Sequence, residues 1–216
     1  MNTIIIVSSF LLLVVLLYQE KKNDRKKILV TKVFLSSLFV FTALLQPHPV
    51  PAFTHLLLVG LIFCLVGDGA LALPGERMFQ MGLAAFLLGH VLYILSFAFL
   101  LGITFWISPV ALLFFLVSTG IFLWLRPFLK SMAGPVWAYI LVITLMLSGA
   151  WAVLQKSSIP AGGMVFLFAG ALFFYLSDIF VARDRFIRAQ FSNRLLGLPL
   201  YYAGQFSLAF SVGLLK

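Results

Sequence analysis

Residues 53–73 read FTHLLLVGLIFCLVGDGALAL, and this stretch decides the fold class of the chain. A helix needs about 20 apolar residues to cross the hydrocarbon core of a bilayer, and this run has that length. One charged side chain, Asp68, interrupts it towards its C-terminal end. The stretch therefore predicts a membrane-spanning helix that carries a carboxyl group.

Similar apolar runs fill the rest of the 216-residue chain, which is 63% hydrophobic and only 10% charged. Such a composition is too apolar for a soluble domain. The runs lie near residues 3–19, 28–45, 53–73, 79–100, 105–125, 135–154, 162–182 and 195–214, and the boundary within 100–109 is the weakest. We predict an all-α, polytopic membrane bundle of about eight transmembrane helices, with residues 1–216 forming a single transmembrane domain.

The basic residues alternate between loops, which sets the expected orientation. One set of alternate loops contains Lys21, Lys22, Arg25, Lys26, Lys27, Arg77, Arg126, Lys130, Arg183, Arg185, Arg188 and Arg194. The other set contains only Lys156 and Lys216. Because Lys and Arg accumulate in cytoplasmic loops, both termini are expected outside. The membrane is expected to be a cell membrane such as the bacterial inner membrane. The first run, followed at once by QEKKNDRKK, is expected to be a retained helix and not a cleaved signal peptide.

The net charge of +9 does not indicate nucleic acid as a partner, because the basic residues form no single face with interleaved aromatic residues. Cys64 is the one cysteine, which excludes an intrachain disulfide and a CxxC metal site. A metal-dependent lipid amidase would need a histidine cluster, yet the chain has only His48, His55 and His90. We therefore expect no metal and no cofactor.

Two aspartates are the sharpest chemical feature of the sequence. Of the six acidic residues, only Asp68 and Asp178 fall within predicted spans. An aspartate at a helix centre costs about 2.5–3.5 kcal/mol on the insertion scale, so such residues normally face a bundle interior or a wet cavity. With a 1.5 Å rise per residue, each lies about 5–8 Å from the cytoplasmic end of its helix. The two carboxyl groups are therefore expected at one level.

Further polar side chains are expected to complete a cup that opens towards the cytoplasm. His90 and Tyr93 share one face of the fourth predicted helix. The eighth predicted helix begins on the same side of the membrane and carries Tyr201, Tyr202 and Gln205. Together with the aspartates, these residues form the predicted site.

Each member also has a simpler interpretation. Asp68 between two glycines is compatible with a helix end whose carboxylate reaches towards water. His90 is compatible with a packing role, Tyr201 and Tyr202 with an interfacial aromatic belt, and Gln205 with a hydrogen bond between two helices. The convergence of all these groups at one side of one bundle favours a functional site.

Four motifs in order, GDGALAL, GHVLYI, YLSDIF and YYAGQ, resemble those of the lysoplasmalogenase family, the YhhN-like membrane proteins. The resemblance covers essentially the whole chain. It implies an integral membrane hydrolase that cleaves the sn-1 vinyl ether bond of a lysoplasmalogen, with a choline or ethanolamine head group, to a fatty aldehyde and a glycerophospho-alcohol. By the same resemblance, Asp68 and Asp178 are catalytic. The supporting or substrate-binding residues that it implies are His90, Tyr93, Tyr201, Tyr202 and Gln205.

The chemistry suits two carboxyl groups. Protonation of the outer vinyl carbon gives an oxocarbenium ion that water traps, so the reaction needs an acid and a base beside a cation, as in glycosidases. The residues alone do not say which aspartate is the acid. Arg77 or Arg183 is expected to meet the substrate phosphate.

The alternative function is a small transporter or proton-coupled carrier of a lipid-like or small solute, since intramembrane Asp and His residues also mark proton relays. A structural membrane protein would leave the two carboxyl groups unexplained.

Overall fold

The computed structural model describes residues 2–156 and 161–215, and helices occupy most of both ranges. The α-helices in these ranges are α1 Asn2–Lys22, α2 Arg25–Leu45, α3 Pro51–Ala72, α4 Glu76–Leu100, α5 Pro109–Leu129, α6 Ala133–Leu154, α7 Ala161–Ala182 and α8 Phe191–Leu214. Their lengths and apolar sequences fit a membrane-spanning bundle. The prediction of an all-α, polytopic membrane fold is confirmed.

Several helices extend beyond the apolar run that predicted them. Helix α2 begins at Arg25, α4 at Glu76 and α8 at Phe191, each about one turn earlier than the predicted span. The apolar pattern marks the part of a helix that lies in hydrocarbon, whereas charged first turns continue the helix into the interfacial region. At the start of α4, Gly75 has φ of 110°, a conformation that favours glycine.

The weakest predicted boundary is a true break. Residues Ile103–Trp106 form a 3₁₀ turn, and the indole nitrogen of Trp106 donates a hydrogen bond to the carbonyl of Leu101 at 3.0 Å. Helix α5 starts only at Pro109, where the Ser108 hydroxyl accepts a bond from the amide of Ala111. The fifth helix therefore begins later than the predicted residue 105.

Helices α5 and α6 form a hairpin within one apolar stretch. By length and composition, the described residues contain seven stretches able to cross a membrane, and one of them, Pro109–Leu154, has 46 residues. A straight helix of that length would extend about 69 Å, more than twice the thickness of the hydrocarbon core. The stretch instead turns at Lys130, and the hydroxyls of Ser118 and Thr144 come within 2.6 Å. It therefore contains two helices, of 21 and 22 residues, each long enough to cross a membrane.

Glycines bring two helix pairs into close contact. A Cβ added to Gly60 of α3 would lie 3.0 Å from the carbonyl oxygen of Gly89 on α4. A Cβ added to Gly204 of α8 would lie 2.9 Å from the carbonyl oxygen of Gly170 on α7. These close approaches fix α3 against α4 and α7 against α8, and so position the two aspartate-bearing helices.

Candidate active site

A cavity of about 480 Å³ lies inside the bundle and contains both intramembrane aspartates. Its inner wall includes Asp68 from α3, Tyr139 from α6, Asp178 from α7 and Tyr201 from α8. Its mouth is lined by residues from the α1–α2, α3–α4 and α7–α8 connections. These connections belong to the set of alternate loops that is rich in Lys and Arg. The cavity thus opens at the end of the bundle that the predicted cup was expected to face.

The carboxyl group of Asp68 is buried, with 2% of the residue exposed, and it has three polar neighbours. The hydroxyls of Ser36 and Tyr201 each donate a hydrogen bond of 2.6 Å to its Oδ2 atom. The Nζ atom of Lys32 lies 3.5 Å from its Oδ1 atom and forms an ion pair. Both oxygens of Asp68 are therefore engaged by donors from α2 and α8.

A second layer of hydrogen bonds extends from Tyr201. The Gln205 amide nitrogen donates to the Tyr201 hydroxyl at 3.2 Å, and the Tyr93 hydroxyl donates to the Gln205 carbonyl oxygen at 2.9 Å. The hydroxyls of Tyr202 and Ser36 lie 3.3 Å apart. Of these supporting residues only Tyr201 lines the cavity. The structure thus brings Tyr93, Tyr202 and Gln205 together with Asp68, but behind the cavity wall.

The surroundings of Asp178 are much simpler. The hydroxyl of Tyr139 donates a 2.7 Å hydrogen bond to its Oδ2 atom. Within residues 2–156 and 161–215 no Lys, Arg or His forms an ion pair with this carboxyl group. Asp178 therefore faces the cavity with one hydroxyl donor and no counter-ion among the described residues.

His90 is fully buried, and it occupies an unexpected environment. Its ring makes edge contacts with Phe174 and Tyr139, with ring centroids at 4.5 Å and 5.3 Å. In the described part of the chain, neither ring nitrogen has a hydrogen-bond partner, and His90 does not line the cavity. His90 therefore lies behind the cavity wall among aromatic rings, and a supporting role for it in the site stays a prediction.

Three residues of the site were missed from the sequence: Lys32, Ser36 and Tyr139. Lys32 had a usable signal, since a lysine within a predicted span carries the same insertion cost as an aspartate. Ser36 and Tyr139 had none, because Ser and Tyr are common in membrane helices and only packing shows which of them meets a carboxyl group.

The basic residues at the cavity mouth also differ from those expected. Arg77 and Arg183 do not line the cavity, so neither is placed to meet a substrate inside it. The arginines that do line it are Arg25, Arg185 and Arg194. Arg185 pairs with Glu76, and Arg194 pairs with Glu20 and Asp184. In the described part of the chain, Arg25 has no such ion pair.

Comparison with known proteins places the chain in a family. The chain is 33% identical to the human protein "Lysoplasmalogenase TMEM86B" over 165 residues. These residues are 76% of this chain and 66% of the human protein, so the chain spans slightly less than two thirds of that relative. It is 27% identical to "Uncharacterized membrane protein YhhN" of Escherichia coli O157:H7, over 74% of this chain and 76% of that protein. No solved structure matches the chain. The model of the YhhN family matches residues 27–212, which confirms the resemblance seen in the four motifs. The chain belongs to the YhhN family.

Proposed function

We propose that this protein is an intramembrane hydrolase that cleaves the sn-1 vinyl ether bond of a lysoplasmalogen with a choline or ethanolamine head group. One observation carries the proposal: Asp68 and Asp178, the two carboxyl groups within the predicted spans, line the same cavity. The printed name of the human relative, lysoplasmalogenase, supports the choice of substrate class. The products are a fatty aldehyde and a glycerophospho-alcohol.

The first half of the reaction hydrates the double bond. One aspartic acid donates its proton to the outer vinyl carbon, which leaves an oxocarbenium ion at the carbon bonded to oxygen. The other carboxylate stabilises this cation and accepts a proton from a water molecule as the water attacks. The result is a neutral hemiacetal and two aspartates that have exchanged protonation states.

The second half breaks the hemiacetal and restores the enzyme. The newly protonated aspartic acid donates its proton to the glycerol oxygen as the carbon–oxygen bond breaks. The other aspartate accepts the proton of the hemiacetal hydroxyl, whose oxygen becomes that of the aldehyde. Both carboxyl groups return to their starting states, so the cycle needs no other acid or base.

The rest of the cavity suits an amphipathic substrate. Phe86, Ile140 and Ile143 give part of its wall an apolar surface for the hydrocarbon chain. Arg25 lines the cavity at the start of α2, and it is the arginine best placed to meet the phosphate. The head group then remains at the membrane surface while the vinyl ether lies at the level of the aspartates.

The orientation in the membrane is part of the proposal. The basic connections surround the cavity mouth, so the mouth faces the cytoplasm and both termini lie outside. In a bacterium this membrane is the inner one. A reporter fused after Lys216 is expected to be active on the outer side, and a reporter active in the cytoplasm would reverse the orientation.

The test of the activity uses purified protein in detergent. We expect free aldehyde, detected by mass spectrometry, from choline or ethanolamine lysoplasmalogen and none from the matched acyl lysophospholipid. Product formed without a sealed compartment separates a hydrolase from the alternative of a transporter. If both lysoplasmalogens remain intact while vesicles containing the protein accumulate a solute, the carrier is the correct function.

A further inference from the structure

We infer that Lys32 is a positioning residue that fixes the roles of the two aspartates, with Asp68 as the ionised base and Asp178 as the protonated acid. The inference rests on the proposed function, which by itself leaves the two roles open. It follows from the different sets of donors around the two carboxyl groups.

Lys32 and Asp68 are a buried pair of opposite charges. Lys32 is only 8% exposed, although it lies on α2 within a predicted membrane span. Its ion pair with Asp68 is the one it makes in the described part of the chain. A buried ammonium group without an anion is strongly unfavourable, so Lys32 favours the ionised form of Asp68.

The hydrogen bonds around Asp68 point the same way. The Gln205 amide nitrogen can only donate, so the Tyr201 hydroxyl accepts from it and directs its own single proton at Asp68. The orientation of Gln205 is in turn fixed by the Tyr93 hydroxyl, which donates to its carbonyl oxygen. Ser36 supplies another donor. Donors aimed at a carboxyl group stabilise its ionised form, which accounts for the second layer behind the cavity wall.

Asp178 lacks such support. Tyr139 from α6 is its one hydrogen-bond donor in the described chain. Arg185 lines the same cavity nearer the mouth, and it is already paired with Glu76. An ionised carboxylate without a counter-ion in a bundle interior is unfavourable, so the neutral acid is the stable form. Asp178 therefore starts the cycle with the proton that the vinyl carbon receives, while Asp68 activates the water.

Infrared difference spectroscopy of the purified full-length protein tests the assignment without any substrate. The carbonyl stretch of a protonated carboxylic acid is expected in the wild-type protein, absent in Asp178→Asn and retained in Asp68→Asn. Asp24→Asn, which changes an acid in the α1–α2 connection, is the matched control and leaves the band unchanged. Loss of the band in Asp68→Asn, or no such band in the wild type, would overturn the inference even if the protein is an active lysoplasmalogenase.

Substitution of Lys32 tests its part in that assignment. In Lys32→Met we expect the protonated-acid signal to increase as Asp68 loses its counter-ion, and kcat to fall about tenfold or more with KM changed less than about threefold, since the interaction with a charged group is lost. Lys32→Arg retains the charge and is expected to keep most of the activity. Lys26→Met, an exposed lysine on the same helix, is the control.

A double substitution keeps this second test decisive if Lys32→Met folds poorly. Lys32→Met combined with Asp68→Asn removes both buried charges, so the double variant is expected to unfold at a higher temperature than either single variant. It is expected to be no less active than Asp68→Asn alone, because Lys32 acts through Asp68. A further loss of kcat in the double variant would show that Lys32 acts on the substrate directly and would contradict a positioning role.

Discussion

Asp68 and Asp178 line one cavity, but the two halves of the bundle that hold them are built differently. Around Asp68, helices α2 and α8 supply two hydroxyl donors and a lysine. Around Asp178, α6 supplies a single tyrosine hydroxyl. This difference in donors is the basis of the inference that the same residue type serves as an anion on one side and as an acid on the other.

The largest expected effect comes from removing either carboxyl group. Asp68→Asn and Asp178→Asn each keep the shape of the side chain and remove its capacity to exchange a proton. Loss of an acid or base typically lowers kcat by about 10²–10⁴-fold, and we expect both variants to fall in that range. The measurement is aldehyde release from a lysoplasmalogen by well-folded, detergent-purified protein. Because the two groups act together, the double variant is expected to be little worse than the worse single one.

Asp24→Asn is the matched control for these variants. Asp24 is the N-cap of α2 and accepts a hydrogen bond from the backbone amide of Lys27, a role that Asn also fills. The hydrogen bond with the Lys27 side chain holds the pKa of Asp24 below its usual value. We expect this variant to retain wild-type activity. Near-native turnover by both site variants would rule out the two-carboxylate mechanism.

The second prediction concerns the contact between α8, which supplies a donor to Asp68, and α7, which carries Asp178. A Cβ at Gly204 of α8 would lie 2.9 Å from the Gly170 carbonyl and 3.0 Å from the Phe174 amide nitrogen, so Gly204→Ala must move α8 away from α7. Tyr201 on α8 would then shift relative to Asp178 on α7. A misplacement of about 1 Å can lower the rate about 10²-fold, and we expect a loss of kcat of up to that size together with a lower unfolding temperature.

Gly120→Ala is the control for that change. Nothing lies within 4 Å of a Cβ at Gly120 on α5, so the added methyl group meets no neighbour. Replacing a mid-helix glycine by alanine usually stabilises a helix by about 0.5–1 kcal/mol. Gly120→Ala is therefore expected to be at least as stable as the wild type and equally active. If Gly204→Ala behaves in the same way, the α7–α8 contact does not set the site geometry.

The third prediction compares single hydroxyl groups on the two sides. Tyr139→Phe removes the one described donor to Asp178, whereas Tyr201→Phe leaves Asp68 with Ser36 and Lys32. We expect kcat to fall about tenfold in Tyr139→Phe and less than about fivefold in Tyr201→Phe, within the range of hydrogen bonds to carboxyl groups. Steady-state kinetics of the two variants measure this ratio. The opposite order would show that Asp68 depends more on one donor than the geometry indicates.

The smallest effect is expected at His90. Both its ring nitrogens are buried without a hydrogen-bond partner in the described chain, and such groups cost about 1–3 kcal/mol. His90→Phe keeps the aromatic contacts with Phe174 and Tyr139 and removes that cost. We expect an unfolding temperature equal to or above that of the wild type and a kcat within about threefold of it. A much larger loss of activity would restore His90 to the site.

The sequence by itself determined the fold class and singled out the two aspartates. Apolar runs long enough to cross a bilayer predict a bundle of helices, because backbone polar groups in hydrocarbon must form their hydrogen bonds within the chain. A charged residue in such a run is costly, and that cost singled out Asp68 and Asp178 as candidate functional residues. The same signal at Lys32 was overlooked. The ends of the helices were less visible, since α2, α4 and α8 continue past their apolar segments.

Only the tertiary structure decided how the site is assembled. Periodicity places Tyr93 and Gln205 on helix faces, but their packing puts them behind the cavity wall as a support for Tyr201. Packing likewise brought Lys32 to Asp68 and left His90 among aromatic rings. Whether the side chains of two helices distant in sequence meet depends on how closely the helices pack and on which face of each helix points into the bundle. In a chain that is apolar on nearly every face, hydrophobic periodicity does not reveal that face, because lipid and protein interior select the same residues.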